Sequence, residues 1–375
     1  MKTLYELWLH SICDFDPGVV EKMVSVFEGG INKFSSPEKE LREVQNAGLP
    51  KKFGTRLSDA AFFDKACEVS EYCEKNHIRI INQESAEYSE FLRNTNTPPR
   101  ILFAKGEKID LNKNLFVSVV GCRKPTDQGL SIARQIGRAL AEAGIVVVSG
   151  MAEGIDAEVH KGALEAGGKT VAVLAGSVDE IYPKSNTKLY YEILKNGMIV
   201  SERPPGTVVR KYFYQQRNRI VVGLSHGTVI VEGKEPGGTS MTARLALDNN
   251  RDVFAVPGNP IVWQASLPNK LIGEGAIIVE KKDSVVEYYR DMRPEYFEHN
   301  NMEKTTEPIE IPGLSDEDSV ILAYIRDRAG VSSMEELSEN CGLALNVLAS
   351  RLTILCVRGL LRQESGNRYI LTGRI

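Results

Sequence analysis

Along the first 95 residues, apolar positions recur at helical spacing. A helix opens at Asp16-Pro17 and carries Val20, Met23, Val24 and Phe27 on one face. Another carries Ala60, Phe63, Ala66, Cys67, Ser70 and Tyr72. The opening residues Met1 to Trp8 read as a further amphipathic helix, Ile78 to Ile81 as a short strand, and Asn94 to Pro99 as a polar, proline-ended break.

From 96 to 290 the pattern changes to short runs that are apolar throughout, separated by helical stretches. The runs are Phe116–Val120, Ile145–Val148, Val171–Leu174, Met198–Val200, Thr228–Val231 and Val253–Val256. Strands with no polar face must be covered on both sides, which predicts a parallel sheet between two layers of helices. The fold class expected is α/β: an extended Rossmann-like, doubly wound, mostly parallel sheet, with a helical N-terminal domain over 1–95. Most runs end in a polar or glycine turn: Gly121-Cys122-Arg123, Ser149-Gly150, Ala175-Gly176, Ser201-Glu202, Glu232-Gly233 and Pro257-Gly258. Ligands of such folds bind at the carboxyl ends of the strands, where these turns collect.

Residues 291–312 lack periodicity and read as a linker. Over 313–375 three helix-like stretches follow, with apolar positions at Val320, Ile321, Tyr324 and Ile325, then Met334 and Leu337, then Leu348, Leu352 and Leu355. A hairpin over Gly359–Gln363 and Arg368–Leu371 closes the chain, and the whole predicts a winged-helix domain.

Composition narrows the function classes. The net charge is −4, so a nucleic-acid partner would need a local basic surface. The start lacks the features of a secretory signal, and no apolar run approaches the roughly 20 residues of a membrane span. The six cysteines, at 13, 67, 73, 122, 341 and 356, form no CxxC pair, and the histidines do not cluster. A disulfide framework and a metal site are both unsupported, and scattered thiols fit a reducing cytoplasm.

Gly168-Lys169-Thr170 imitates the end of a phosphate loop, but Ala163 stands where the first glycine belongs and a strand follows rather than precedes it. No GxGxxG follows the first strand of the sheet either. Instead Gly121-Cys122-Arg123 leads to Thr126 and Gly129 at a helix start, where backbone amides and an arginine fork suit phosphate, or where a tight turn leaves its arginine in water. Asp156 and His160 could be a catalytic pair; the favoured reading is an N-cap with a hydrogen-bonded histidine one turn on. Lys184 behind Pro183 is a phosphate ligand or an ordinary solvated lysine.

Arg203 to Val231 is the strongest local signal. It holds Arg203, Arg210, Lys211, Arg217 and Arg219, interleaved with Tyr212, Phe213 and Tyr214, and contains no acid. Cations for phosphates and aromatics for bases are what single-stranded nucleic acid requires, although some donors of Arg217-Asn218-Arg219 could brace neighbouring loops. Gly237-Gly238-Thr239-Ser240 at a further helix start forms a second potential anion nest.

At these loops the chain resembles the DNA-processing protein A family (DprA, also called Smf) over nearly its whole length. The resemblance runs through Gly121–Arg123, Ser149–Asp156 with His160 and Ala163-Leu164, Tyr182-Pro183, Ser201-Glu202 and Arg217–Ile220 with Gly223-Leu224. It continues through Gly238–Ala243, Arg251–Gly258 and Leu271–Ala276. It implies binding rather than catalysis: family members coat incoming single-stranded DNA during natural transformation, dimerise and help to load the RecA recombinase. By motif position Arg123 and Lys184 match the family's cationic DNA ligands, and Tyr214 stands where many members have phenylalanine. The family usually has proline after that phenylalanine, where this chain has Gln215, and Ser-Gly-Ser where it has Gly237, Gly238 and Thr239.

The DNA-binding residues expected are Gly121, Arg123, Ser149, Gly150, Lys184, Tyr214, Arg217, Asn218, Arg219, Gly238, Thr239 and Ser240. The expected partners are single-stranded DNA, RecA and a second copy of the chain, with no cofactor, metal or catalytic residue. The alternative is a nucleotide-binding protein or nucleotide phosphoribohydrolase; the latter carries a Pro-Gly-Gly-x-Gly-Thr loop, which Pro236 to Thr242 resembles, with a glutamate shortly after it. Here Thr242 to Ala246 contain no acid.

Overall fold

The computed structural model describes residues 2–26, 44–57, 59–298, 314–327, 331–364 and 368–371. The chain divides into two compact units, Met1–Phe297 and Glu298–Ile375.

In the first unit, α1 (Lys2–Ile12), α2 (Pro17–Val26), α3 (Lys51–Arg56) and α4 (Ala60–Lys75) precede the sheet. Phe27 lies outside the described residues. The stripe expected on α4 is rotated: Ala66 and Cys73 are buried, whereas Phe63 and Tyr72 are exposed. The Tyr72 hydroxyl instead donates to Asp179 at 2.9 Å, tying α4 to a loop of the sheet.

Strands β1 (Arg79–Asn82) and β2 (Ile101–Gly106) flank a short α5 (Glu90–Arg93). There follow β3 (Phe116–Val120), α6 (Asp127–Glu142), β4 (Val146–Ser149), α7 (Ile155–Glu165), β5 (Thr170–Val173), α8 (Thr187–Asn196) and β6 (Met198–Ser201). Then come α9 (Phe213–Gly223), β7 (Gly227–Ile230), α10 (Gly238–Asp248), β8 (Asp252–Ala255), α11 (Ser266–Gly273), β9 (Ile277–Ile278), α12 (Ser284–Met292) and α13 (Glu295–Glu298).

The nine strands form one sheet in the order β1-β2-β6-β5-β4-β3-β7-β8-β9. β1 and β2 pair antiparallel, as do β2 and β6; β3 pairs parallel with both β4 and β7. Strand order therefore reverses between β3 and β7, the topological switch point of a doubly wound fold. The sheet takes its edge strand from before residue 96, so the helical N-terminal segment shares it. β2 was not foreseen: four apolar residues after Pro98-Pro99 carry too little periodicity to identify a strand.

Side chains alternate between the faces, so two cores form. Phe116, Val120, Val146 and Val148 pack with Ile220, Ala243 and Leu267 from α9, α10 and α11. Val117, Val119 and Val147 pack on the other face with Ile136, Val159 and Val285 from α6, α7 and α12. Leu7 of α1 and Ile193 of α8 join Phe103, Ala172 and Ile199 in a third cluster. Residues 291–298, expected as linker, are largely helical, and Tyr296 lies against His226 with ring centroids 5.3 Å apart. Residues 299–312 of that expected linker lie outside the described residues.

Helices α6 and α7 meet backbone to backbone because both contribute glycine. A Cβ on Gly137 would lie 2.3 Å from the Val159 carbonyl oxygen, and one on Gly162 2.1 Å from that of Arg134. This contact fixes the two helix N-termini, and so the turns carrying Arg123 and Gly150, relative to each other.

The second unit contains α14 (Asp316–Asp327), β10 (Val331–Ser333), α15 (Met334–Cys341), α16 (Leu345–Val357), β11 (Leu361–Glu364) and β12 (Arg368–Leu371), with a sheet ordered β10-β12-β11. Its core holds Ile321, Leu322, Ile325, Leu337, Leu348, Leu352 and Leu355. Val320, expected there, is exposed, and Leu322 takes its place.

Candidate nucleic-acid interface

The turns after β3, β4 and β5 border an open cleft at the carboxyl edge of the sheet. Arg123, Gly150, Gly176, Tyr182, Pro183 and Tyr214 line it, together with Glu153 and Glu180. The exposed Arg123 guanidinium lies 4.5 Å from the Tyr214 ring centroid, and the Tyr182 ring lies 6.3 Å from that of Tyr214. An arginine over one tyrosine with a second aromatic beside it offers π-faces to a base and a cation to its phosphate. The two carboxylates repel phosphate and accept hydrogen bonds, so the arrangement suits bases inside the cleft and phosphates along its cationic lip.

Lys184 is exposed on that side, at the start of a 3₁₀ turn. The turn is anchored by buried Asn186, whose amide donates to the Met151 carbonyl at 2.9 Å. Of the aromatic run, Tyr212 is exposed and Tyr214 half-buried, while Phe213 is buried 4.0 Å beneath the Arg203 guanidinium.

Several of the expected DNA ligands form the frame beneath this surface. Arg217 is buried and donates to the Val173 carbonyl and, at 3.2 Å, to Asn218. A Cβ on Gly150 would lie 2.1 Å from that guanidinium, so the glycine makes room for the arginine. Burial pushes the Arg217 pKa down and that of Asp156 up, and the attraction between the two opposes both shifts. Asn218 donates to the Thr242 hydroxyl at 2.9 Å. Arg219 pairs with Glu202 and donates to the Thr97 carbonyl. Ser149 is fully buried and donates to the Val119 carbonyl at 2.6 Å. Gly121 is half-buried, and a Cβ there would meet Ile155 at 2.5 Å. These residues hold turns in place, whereas Arg123, Lys184 and Gly238 of the α10 N-terminus are exposed and half-buried Tyr214 lines the cleft.

At that N-terminus Gly238 is exposed, and a Cβ on it would meet nothing within 4 Å, so packing does not demand the glycine. The nearby hydroxyls have structural uses: Ser240 accepts from the Gly237 amide at 3.0 Å, and Thr242 donates to the Gly238 carbonyl at 3.0 Å. Thr239 packs its methyl 3.1 Å from the Cβ position of Gly233. The first-turn amides remain as the anion-binding groups of the nest.

Asp156 is not the N-cap expected of it. Gly154 holds that position, and Asp156 lies in the first turn of α7, buried and facing Arg217. His160 is buried with Nδ1 2.6 Å from the Thr170 hydroxyl, and burial followed by the Arg217 charge pushes its pKa down to about 3. It is a neutral core histidine.

Sequence reasoning missed Glu232, whose carboxylate accepts from the Thr126 amide at 2.9 Å and from its hydroxyl at 2.6 Å. A Cβ on Gly129 would lie 2.4 Å from its carboxyl carbon. The N-terminus of α6 at the switch point, the phosphate position of a dinucleotide fold, is thus filled by the protein's own anion. Nothing in a Glu-Gly pair after a strand signals this. Burial and Glu232 push the adjacent Cys122 thiol up to about 11, so it stays protonated. Among the described residues no group of three or more His, Cys, Asp or Glu could hold a metal ion, and no helix is long and apolar enough to cross a membrane.

The family model of DNA recombination-mediator protein A matches residues 79–290, beginning at β1 and ending within α12. The DNA processing protein DprA of Bacillus subtilis is 36% identical over 237 residues, covering 63% of this chain and 80% of that protein. Protein Smf of Synechocystis is 28% identical over 386 residues, covering 94% of each. Among solved structures, DprA of Streptococcus pneumoniae superposes with a TM-score of 0.63 at 29% identity, over 76% of this chain and 97% of that one. DprA of Helicobacter pylori, whose structure is described as revealing a single-stranded DNA binding mode, gives 0.53 at 28% identity, over 58% of this chain and 98% of that one.

Proposed function

Because the chain belongs to the DNA recombination-mediator protein A family, whose members are named DprA or Smf, we propose that it binds single-stranded DNA across the β3–β5 edge. The observation that carries this reading is the exposed Arg123 guanidinium over the Tyr214 ring. Bases enter the cleft beside Tyr214 and Tyr182, and phosphates follow Arg123, Lys184, the exposed Arg210 and Lys211, and the α10 amides. The role is that of a non-enzymatic, cytoplasmic recombination mediator, which acts as a homodimer and helps to load RecA on DNA taken up by the cell. Glu232 weighs against a free-nucleotide or phosphoribohydrolase reading, since it already occupies the helix terminus that a nucleotide phosphate would use.

In the same reading residues 313–375 form a winged helix whose partner is a protein. The segment 315–375 holds seven arginines against eight acidic residues, and Arg351 on α16 is tied to Glu317 at 2.8 Å. Deleting it is expected to leave duplex binding unchanged; abolished duplex binding in a folded 1–297 chain would reverse this assignment.

The test is a fluorescence-anisotropy titration of a labelled single strand, with duplex as control, over a range of salt. If about five cations meet phosphates, log affinity falls against log salt with a slope near −3.5. A slope near zero, or equal affinity for duplex, would overturn the reading.

A further inference from the structure

The loop after β8 exposes three consecutive apolar side chains: Ile261 is 90% exposed, Val262 36% and Trp263 47%. It is nonetheless firmly held. The Asn269 side chain accepts from the Gly258 amide at 3.0 Å and donates to its carbonyl at 2.9 Å, and Val262 donates to the Asn259 carbonyl at 3.1 Å. An exposed indole on an anchored loop loses little conformational freedom when something packs against it, which is how an aromatic platform gains affinity.

The loop is also joined to the interface on two sides. Gln264 accepts from the Gly233 amide at 2.7 Å, in the turn that leads to the α10 nest. Its side chain donates to the carbonyl of Lys124, the neighbour of Arg123, at 3.4 Å. Lys234 Nζ lies 5.9 Å from the Trp263 ring centroid, and Lys124 and Lys234 are both exposed. Among the described residues neither lysine has a carboxylate partner, whereas the nearby acid Glu235 is taken by Lys270. β8 lies two strands from β3, so the loops that follow them leave the sheet on the order of 10 Å apart along its edge. An aromatic face beside an unpaired lysine, on a loop hydrogen-bonded both to the Arg123 turn and to the turn before the nest, matches the chemistry of a strand of bases and phosphates.

We infer that Trp263 is a second base-stacking platform, which with Lys124 and Lys234 extends the single-stranded DNA path past the α10 nest. This rests on the DNA-binding reading above and adds a residue and a direction to it. A strand of about 16 nucleotides reaches both platforms, whereas a dinucleotide, with a single backbone step, reaches only one.

The test combines two readouts. Trp263→Ala is compared with wild type by anisotropy on oligothymidylates of both lengths, with Trp263→Phe as the conservative rescue. In parallel, wild-type tryptophan emission is followed during saturation with unlabelled strand; only Trp8 and Trp263 contribute. The expected result is a loss of at least about five-fold in affinity for the longer strand with Trp263→Ala. Little change is expected on the shorter strand, with recovery in Trp263→Phe and quenching in wild type that Trp263→Ala lacks. If wild type binds the longer strand but Trp263→Ala binds it equally and no quenching occurs, the platform assignment is wrong and the DNA-binding reading stands. If wild type fails to bind either strand, the DNA-binding reading itself falls, and this inference with it.

Discussion

Arg123 and Arg217 show how burial decides what an arginine does. Arg123 is exposed over an aromatic ring, while Arg217 is enclosed among Gly150, Val173 and Asp156. Gly150→Ala should therefore destabilise the first unit by about 1–3 kcal/mol, because its methyl and the guanidinium claim one space. Arg217→Met should cost more, about 3–5 kcal/mol, by leaving Asp156 buried without its counter-charge; chemical denaturation measures both. Histidine gives a pH dependence. Unfolded His160 takes up a proton near 6.5, but the buried side chain does so only near 3. The folded state thus binds fewer protons in that window. The stability contribution present above pH 6.5 is lost as pH falls, by about 1.4 kcal/mol per unit. His226, lowered to about 4 by burial, adds in the same sense, and Asp156, raised by burial, acts oppositely. Comparing urea midpoints of wild type and His160→Gln at pH 7 and pH 5 isolates the His160 share. The variant should lose less on acidification, and identical losses would contradict this account.

The elements explain why the interface lies where it does. Backbone contact between α6 and α7 at Gly137 and Gly162 sets the Arg123 and Gly150 turns side by side. Gly162→Ala should lower stability and weaken strand binding together, although residue 162 lies along α7 and not in the cleft lining; thermal melts and anisotropy read the two effects. Glu232 completes the cap of α6, so Glu232→Ala should cost about 1–2 kcal/mol by leaving the Thr126 amide and hydroxyl without their acceptor. Much of this layout was legible in sequence, because fully apolar strands such as Phe116–Val120 can only be central and their turns must share one edge. Arg123 and Lys184 were placed on that edge by the same reasoning, and Tyr214 was singled out by the acid-free basic and aromatic stretch that holds it. What stayed hidden depends on tertiary contact. Ser149, Arg217 and Arg219 were expected as ligands, with bracing left open for the two arginines, and the neighbours of each show that they brace the loops. β2 escaped for want of period, and Glu232 because its partner lies 106 positions away.

The chain as a unit carries a net charge of −4, so any affinity for DNA must come from a small cationic region working against an unfavourable overall charge. In the reading developed above, that region runs from Lys184 past Arg123 to Lys234, with aromatic side chains at intervals. The comparison that bears hardest on it is single-strand affinity, at one fixed salt concentration, of wild type against the double variant Arg123→Glu, Lys184→Glu. Both residues are exposed, so the fold should be retained, as a matching denaturation curve would verify. Tight binding by wild type and its near-complete loss in the folded variant is the expected result. Undiminished binding by the folded variant would place the DNA elsewhere on the protein.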